Sequence, residues 1–263
     1  MFITEDFVLL NLPKSASTFS RTVLKKVYKN RSLNRHGHYA KWVDRFLPSK
    51  GYLDLKLFSS PNHPDSQHLG YSELPDEFKD RPVISTVRNP YSRYVSQYHY
   101  RGWANKPWHL DKTTKERWPN FPDLAFSEMY ALRKEWLAMK LDISPEQLNY
   151  GQYTHRFVRM YAKDPKVTWR QLIDGESFEK IAAGMAGIRF IRQEHLRDDW
   201  ASVLKEFNVP EEEIEVIYNH ENVNQSSVKK TEKHKLSDEE KDQIRKDDWF
   251  VFDFLKSKGI DYA

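Results

Sequence analysis

The stretch LLNLPKSASTFSRTVL, residues 9–24, constrains the fold more than any other part of the chain. An apolar run leads through a loop of small, hydroxyl-bearing residues straight into a pattern of helical period. A strand, a tight loop and a helix N-terminus in that order gather backbone N–H groups at the positive end of a helix dipole, where phosphate binds. The familiar phosphate loop, G-x-x-x-x-G-K-[ST], needs glycines and puts its lysine last. Here Lys14 comes first and the loop holds no glycine. The amides of residues 15–18, Ala16 among them, would point into the concavity, and Lys14 would add a point charge. The hydroxyls of Ser15, Ser17 and Thr18 are further donors. A hydroxyl-rich helix cap beside an exposed lysine has the same letters, so the loop alone leaves binding and capping evenly matched.

The rest of the chain supplies strands and helices in alternation. FVLLNLP (7–13), YLDLKLF (52–58), RPVISTVRNP (81–90) and GIRFIRQ (187–193) read as strands. SRTVLKKVY (20–28) and a segment through DDWASVLKEF read as helices. Tyr91, Tyr94, Val95 and Tyr98 recur at helical spacing after Asn89-Pro90, which predicts a helix with Asn89 as N-cap and Pro90 at its first position. Residues 101–122 read as loop, and two or three helices are expected across 123–163. LSDEEKDQIRKDDWFVFDFL reads as one helix, with Ser237 and Glu240 forming a capping box. Without repeats or a low-complexity linker, the expectation is a single α/β domain over 1–263 with a mostly parallel sheet flanked by helices.

Composition excludes several classes. Aromatic residues make up 14% of the chain and hydrophobic residues 39%, enough for a sizeable core. Without cysteine there is no disulfide, thiolate nucleophile or thiolate-bound zinc. A net charge of +4 is too weak to argue for nucleic acid. No apolar stretch approaches the ~20 residues of a membrane span. Glu5 and Asp6 precede the first apolar run, unlike a secretory leader. The expectation is a cytoplasmic protein with neither a nucleic-acid nor a membrane partner.

A second constellation favours binding over capping. Arg88 closes the strand 81–87, and Ser96 lies eight residues on, inside the next helix. Ligands of open α/β sheets gather at the carboxyl ends of strands, and the guanidinium fork suits a phosphate there.

Together, PKSASTF and VRNPYSRYVSQY resemble the two nucleotide-binding motifs of sulfotransferases that use 3′-phosphoadenosine 5′-phosphosulfate (PAPS). The resemblance implies a P-loop-NTPase-like three-layer fold and a co-substrate that leaves as 3′-phosphoadenosine 5′-phosphate (PAP), with no metal. It implies that Lys14 contacts the 5′-phosphate and the bridging oxygen of the leaving group. Ser15, Ala16, Ser17 and Thr18 would hold the same phosphate, Phe19 would pack on adenine, and Arg88 and Ser96 would bind the 3′-phosphate. In QHLGYSELP, His68 falls where the family has its catalytic histidine, which would take the acceptor proton. The family lysine two residues earlier is replaced by Ser66, so His63, Asp65 and Glu73 are alternative bases. FIRQEHL resembles the family's YEDL segment, with Gln193 at the usual tyrosine. ENVNQSSVKK resembles the late segment of the bacterial and Golgi branches rather than the glycine-rich R-K-G loop of the cytosolic branch. Ser227, Lys229 and Lys230 would then supply phosphate contacts.

Residues 101–186 lie outside the resemblance and read as a helical and loop insertion that binds the acceptor. Trp103, Trp108 and Trp118 there suit a small-molecule or carbohydrate acceptor, although at least one is expected to pin the loop instead. Two rivals remain at this point. One is a P-loop small-molecule kinase, which would call for Mg²⁺ and a late lysine. The other is a non-catalytic PAP-binding module.

Overall fold

The computed structural model describes residues 1–29, 31, 51–55, 68–105, 116–221 and 234–262. Its strands are β1 (Phe2–Thr4), β2 (Val8–Leu10), β3 (Tyr52–Asp54), β4 (Val83–Val87) and β5 (Ile188–Arg192). Its helices are α1 (Ser17–Val27), α2 (Pro90–Tyr100), α3 (Gly102–Asn105), α4 (Phe126–Leu141), α5 (Gln152–Tyr161), α6 (Pro165–Ile173), α7 (Phe178–Ala183), α8 (Leu196–Glu206), α9 (Glu211–Asn219), α10 (Asp238–Asp247) and α11 (Trp249–Ser257). Among the described residues no helix is long and apolar enough to cross a membrane.

The chain forms two compact units. The first comprises Met1–Arg88, Arg159–Pro165 and Met185–Gln225, and the second comprises Asn89–Val158, Lys166–Gly184 and Ser226–Ala263.

The first unit is built on a five-stranded sheet of order β3-β1-β2-β4-β5. β4 pairs in parallel with both β2 and β5, whereas β1 is antiparallel to both β2 and β3. Four strands therefore run one way and β1 the other, the mostly parallel sheet expected of an α/β fold. All five residues of β4 are buried, as a central parallel strand requires. β5 lies at the edge and is less buried, with Ile188 and Ile191 inside on opposite faces while Arg189 reaches Glu206 outside. Charge on an edge strand discourages pairing with another chain.

One face of the sheet makes the core. Phe2, Leu9, Ile84 and Ile191 meet Val23, Leu24 and Val27 of α1, Trp200 and Leu204 of α8, and Ile214 and Ile217 of α9. The Trp200 indole N–H donates to Ser20 Oγ at 2.9 Å, so the largest buried ring leaves no polar atom stranded. Arg21 and Lys25 of α1 reach the buried Asp54 carboxylate of β3 at 2.7 and 2.6 Å. Burial alone would raise that carboxyl, but the two cations hold it below its ordinary range. On the other face, Tyr161 packs edge-on against Phe190, with ring centroids 5.3 Å apart.

The second unit is helical. Asn89 Oδ1 accepts from the Tyr91 and Ser92 amides at 2.9 and 3.3 Å, and Pro90 opens α2, as the sequence predicts. The capping box at Ser237 and Glu240 is also present. The single helix expected beyond it is two, α10 and α11, meeting at Asp248. The Asp248 carboxylate is buried and accepts from Tyr94 O–H at 2.6 Å and the Thr154 amide at 2.7 Å. A Cβ on Gly151 would lie 2.5 Å from Asp248 Oδ1, so only glycine allows that approach. Two further differences are local. β1 was not foreseen, and the stretch read as loop from 101 opens with the short helix α3.

Candidate functional site

The loop between β2 and α1 takes a glycine-like backbone without glycine. Lys14 has φ 68° and Ala16 φ 64°, both left-handed. Such a conformation costs an L-residue roughly 1–2 kcal/mol, and turns of this kind aim successive N–H groups into an anion-binding concavity. Ala16 is the N-cap of α1 and offers no side-chain cap, and the first turn contains no acidic residue. The positive end of the helix is thus not neutralised by its own side chains. Ser17 and Thr18 stand in that first turn, half-buried and exposed, and Lys14 is half-buried.

Ser15 behaves differently from its neighbours. It is fully buried, and its hydroxyl donates to Leu12 O at 2.7 Å and lies 2.9 Å from Thr86 Oγ1 on β4. Its side chain therefore faces the fold, and its hydroxyl is already engaged there rather than held out as a ligand donor. Arg88, at the end of β4, reaches back to Lys14 O, with Nη1 at 3.5 Å. The Arg88 guanidinium thus reaches the backbone of Lys14, seventy-four residues away, at the mouth of this loop.

His68 contacts the residue that follows β2. Its Nδ1 lies 2.5 Å from Asn11 O, three residues before Lys14. A carbonyl can only accept, so Nδ1 carries a proton, and in the neutral ring the lone pair is then on Nε2, the tautomer a general base needs. The segment holding His68 is docked by Gly70, where a Cβ would lie 2.2 Å from Arg159 O. The Glu73 carboxylate accepts from the Gly70 amide at 2.8 Å, a structural task for one of the alternative bases. His63 and Asp65 lie outside the described residues, as do Ser66, Ser227, Lys229, Lys230 and Trp108.

Phe19 is only 4% exposed. The Arg197 guanidinium lies 5.0 Å from its ring centroid and the His220 ring lies 5.7 Å away. Arg197 is itself fixed, donating to the carbonyls of Ile217, Tyr218 and His220 at the end of α9. Gln193 is half-buried in a single 3-10 turn after β5. Ser96 stands half-buried on α2, in the second unit. In the same unit Trp103 is buried and its indole N–H donates to Pro122 O at 3.0 Å, the pinning role expected of at least one tryptophan. Trp118 N–H reaches Glu135 Oε2 at 3.4 Å.

Thr86 and Asn11 were not singled out in the sequence. The adjacent hydroxyls in VISTV, inside an otherwise apolar strand, were the available signal for Thr86. Asn11 contributes a backbone carbonyl, which no side-chain pattern announces.

The sulfotransferase domain family matches residues 4–173, well over half of the chain. A solved structure similar to this one is that of a mouse sulfotransferase, SULT7A1, complexed with PAP. It has 16% sequence identity over 97% of this chain and 67% of that chain, with a TM-score of 0.37. No curated protein matches the sequence at a significant level. With a family match that begins in β1, runs through the phosphate loop, His68 and Arg88 and ends in α6, this chain belongs to the sulfotransferase domain family and is an enzyme of sulfuryl transfer.

Proposed function

We propose that the enzyme moves a sulfuryl group from PAPS to a hydroxyl, or less favourably an amine, of a small-molecule or carbohydrate acceptor. The observation that supports this reading is the contact between His68 Nδ1 and Asn11 O, which holds the residue assigned as base just past the carboxyl end of the strand that leads into the loop. The loop suits a phosphosulfate in the same terms: left-handed backbone at Lys14 and Ala16, an uncapped helix N-terminus, and Arg88 at its mouth. When bound, PAPS supplies an activated sulfuryl group whose bridging oxygen becomes a phosphate oxygen of PAP.

The chain's own residues do the rest. His68 Nε2 takes the acceptor proton as the acceptor oxygen attacks sulfur, so that oxygen becomes the sulfate ester oxygen. Lys14 and the amides of residues 15–18 stabilise the charge that gathers on the departing phosphate. Arg88, together with Ser96 by the spacing of their motif, is assigned the 3′-phosphate. Ser227, Lys229 and Lys230 are assigned further phosphate contacts on the same resemblance. Phe19 is assigned to the adenine end of the nucleotide, acting beneath Arg197 and His220 rather than as an open face. Acceptor choice is assigned to residues 101–186, and the cytoplasm is the proposed compartment. A kinase is not favoured, since the family match is to sulfuryl transfer.

The test is transfer of label from ³⁵S-PAPS to a panel of hydroxyl acceptors, with wild type and His68→Ala compared. Wild type should label at least one acceptor class. The variant should lose roughly 10²–10⁴ in kcat while PAP affinity stays nearly unchanged. Activity of the variant within a few-fold of wild type would remove His68 from the base role. Failure to label any acceptor would overturn the transfer reading itself.

A further inference from the structure

Ser15 Oγ carries one proton, and Leu12 O, 2.7 Å away, can only accept it. The 2.9 Å contact with Thr86 Oγ1 must therefore be donated by Thr86. A directed relay results, from Thr86 to Ser15 to Leu12 O, and both hydroxyl-bearing residues are fully buried. The same logic holds one residue earlier on β4. Ser85 Oγ donates to Leu10 O at 2.7 Å, so the 2.7 Å contact with Tyr161 is donated by the phenol. Consecutive residues of β4 thus brace the end of β2 and the loop that follows it, from alternate faces of the strand.

The two braces differ in what they hold. Ser85 supports a regular strand, whereas Ser15 sits between Lys14 and Ala16, the two left-handed residues of the loop. Neither is glycine, so each would relax if the loop were released. A backbone held this way persists only when its surroundings over-determine it, and the Thr86 relay fixes the residue that lies between the two. We propose that Thr86 is a positioning residue, whose hydroxyl acts through Ser15 to keep the loop N–H groups converged for anion binding. The effect on nucleotide affinity rests on the PAPS reading, but the effect on the loop does not.

Thr86→Val keeps shape and removes the donor, leaving a buried Ser15 lone pair unmet, and Thr86→Ser keeps the donor. The full chain without ligand should show faster amide hydrogen exchange in a peptide covering residues 13–19 of Thr86→Val, by about tenfold, the scale of one lost buried hydrogen bond. Peptides over α8 and α9 should be unchanged, and Thr86→Ser should resemble wild type. PAP affinity should fall by about the same factor in Thr86→Val and stay within about threefold in Thr86→Ser. Wild-type loop exchange in Thr86→Val would overturn the proposal, and so would equal damage in both variants, which would mean packing rather than the hydroxyl. Should Thr86→Val not fold, Thr86→Ala compared with Thr86→Ser in the same way gives the same decision, because the two differ only in the hydroxyl. If wild type fails to bind PAP but loop exchange responds as expected, the nucleotide reading fails and the positioning role stands.

Discussion

Ala16 bears a backbone cost that its side chain does nothing to offset. At φ 64° its Cβ crowds the carbonyl that follows, and its methyl makes no cap to α1. Ala16→Gly removes roughly 1–2 kcal/mol of that crowding but adds about 0.5–1 kcal/mol of unfolded-chain entropy. The net expectation is a gain of about 0.5–1 kcal/mol in urea denaturation, with PAP affinity within a few-fold because the amide remains. A loss of stability would mean that the loop is not strained there. At this scale the letters PKSAST suggest phosphate chemistry, since Lys14 and small side chains are local signals. They were not enough to separate Ser15 from Ser17. That division depends on Thr86, which the fold brings from another strand, and a buried partner seventy-one residues away leaves no mark on local pattern.

Elements with strong local punctuation matched expectation. Asn89-Pro90 fixes the start of α2, and Ser237 with Glu240 fixes the start of α10, because a cap is satisfied by its own next few residues. β1 was missed because three residues show no period, and it exists through its pairings with β2 and β3. The division of α10 from α11 was missed for a related reason: the apolar and charged letters run on smoothly through Asp248, whose partners lie on α2 and α5. That junction also titrates. Burial pushes the Asp248 carboxyl up to about 6, against the hydrogen bonds from Tyr94 and Thr154 and the charge of Arg93, which favour its anion. An acid whose folded pKa exceeds its unfolded value of about 3.9 favours the fold below that value and loses this contribution as pH rises through 6. The difference in unfolding free energy between wild type and Asp248→Asn should therefore move against wild type by roughly 2–3 kcal/mol from pH 4 to pH 7. Denaturant titrations at the two pH values measure it, and a constant difference would mean that the carboxyl is not titrating in the fold.

Over the whole molecule, the alternation of strands and helices was legible, and so was the family, because the phosphate loop and the Arg88 segment each resemble a motif and their order along the chain agrees. The family match, residues 4–173, reaches further than the motif resemblance into the middle of the chain, where the sequence alone assigned little beyond tryptophan clusters. What one nucleotide does to the stability of the full chain distinguishes the remaining readings of the loop. A ligand that binds only the native protein stabilises it by about 2.7 kcal/mol at a hundredfold excess over Kd. For a chain of this size each kcal/mol raises Tm by roughly 2–4 °C, so saturating PAP should raise it by about 5–10 °C. Arg88 reaches the backbone of Lys14 at the loop mouth, and under the proposed assignment a nucleotide phosphorylated at both the 3′ and 5′ positions would engage both side chains. ATP with Mg²⁺ lacks the 3′-phosphate and carries a triphosphate for which this loop has no late lysine. Its shift should be less than half that of PAP at the same multiple of the PAP Kd. Equal shifts would place the specificity in the loop alone, take the 3′-phosphate away from Arg88, and return the site to a general phosphate cradle.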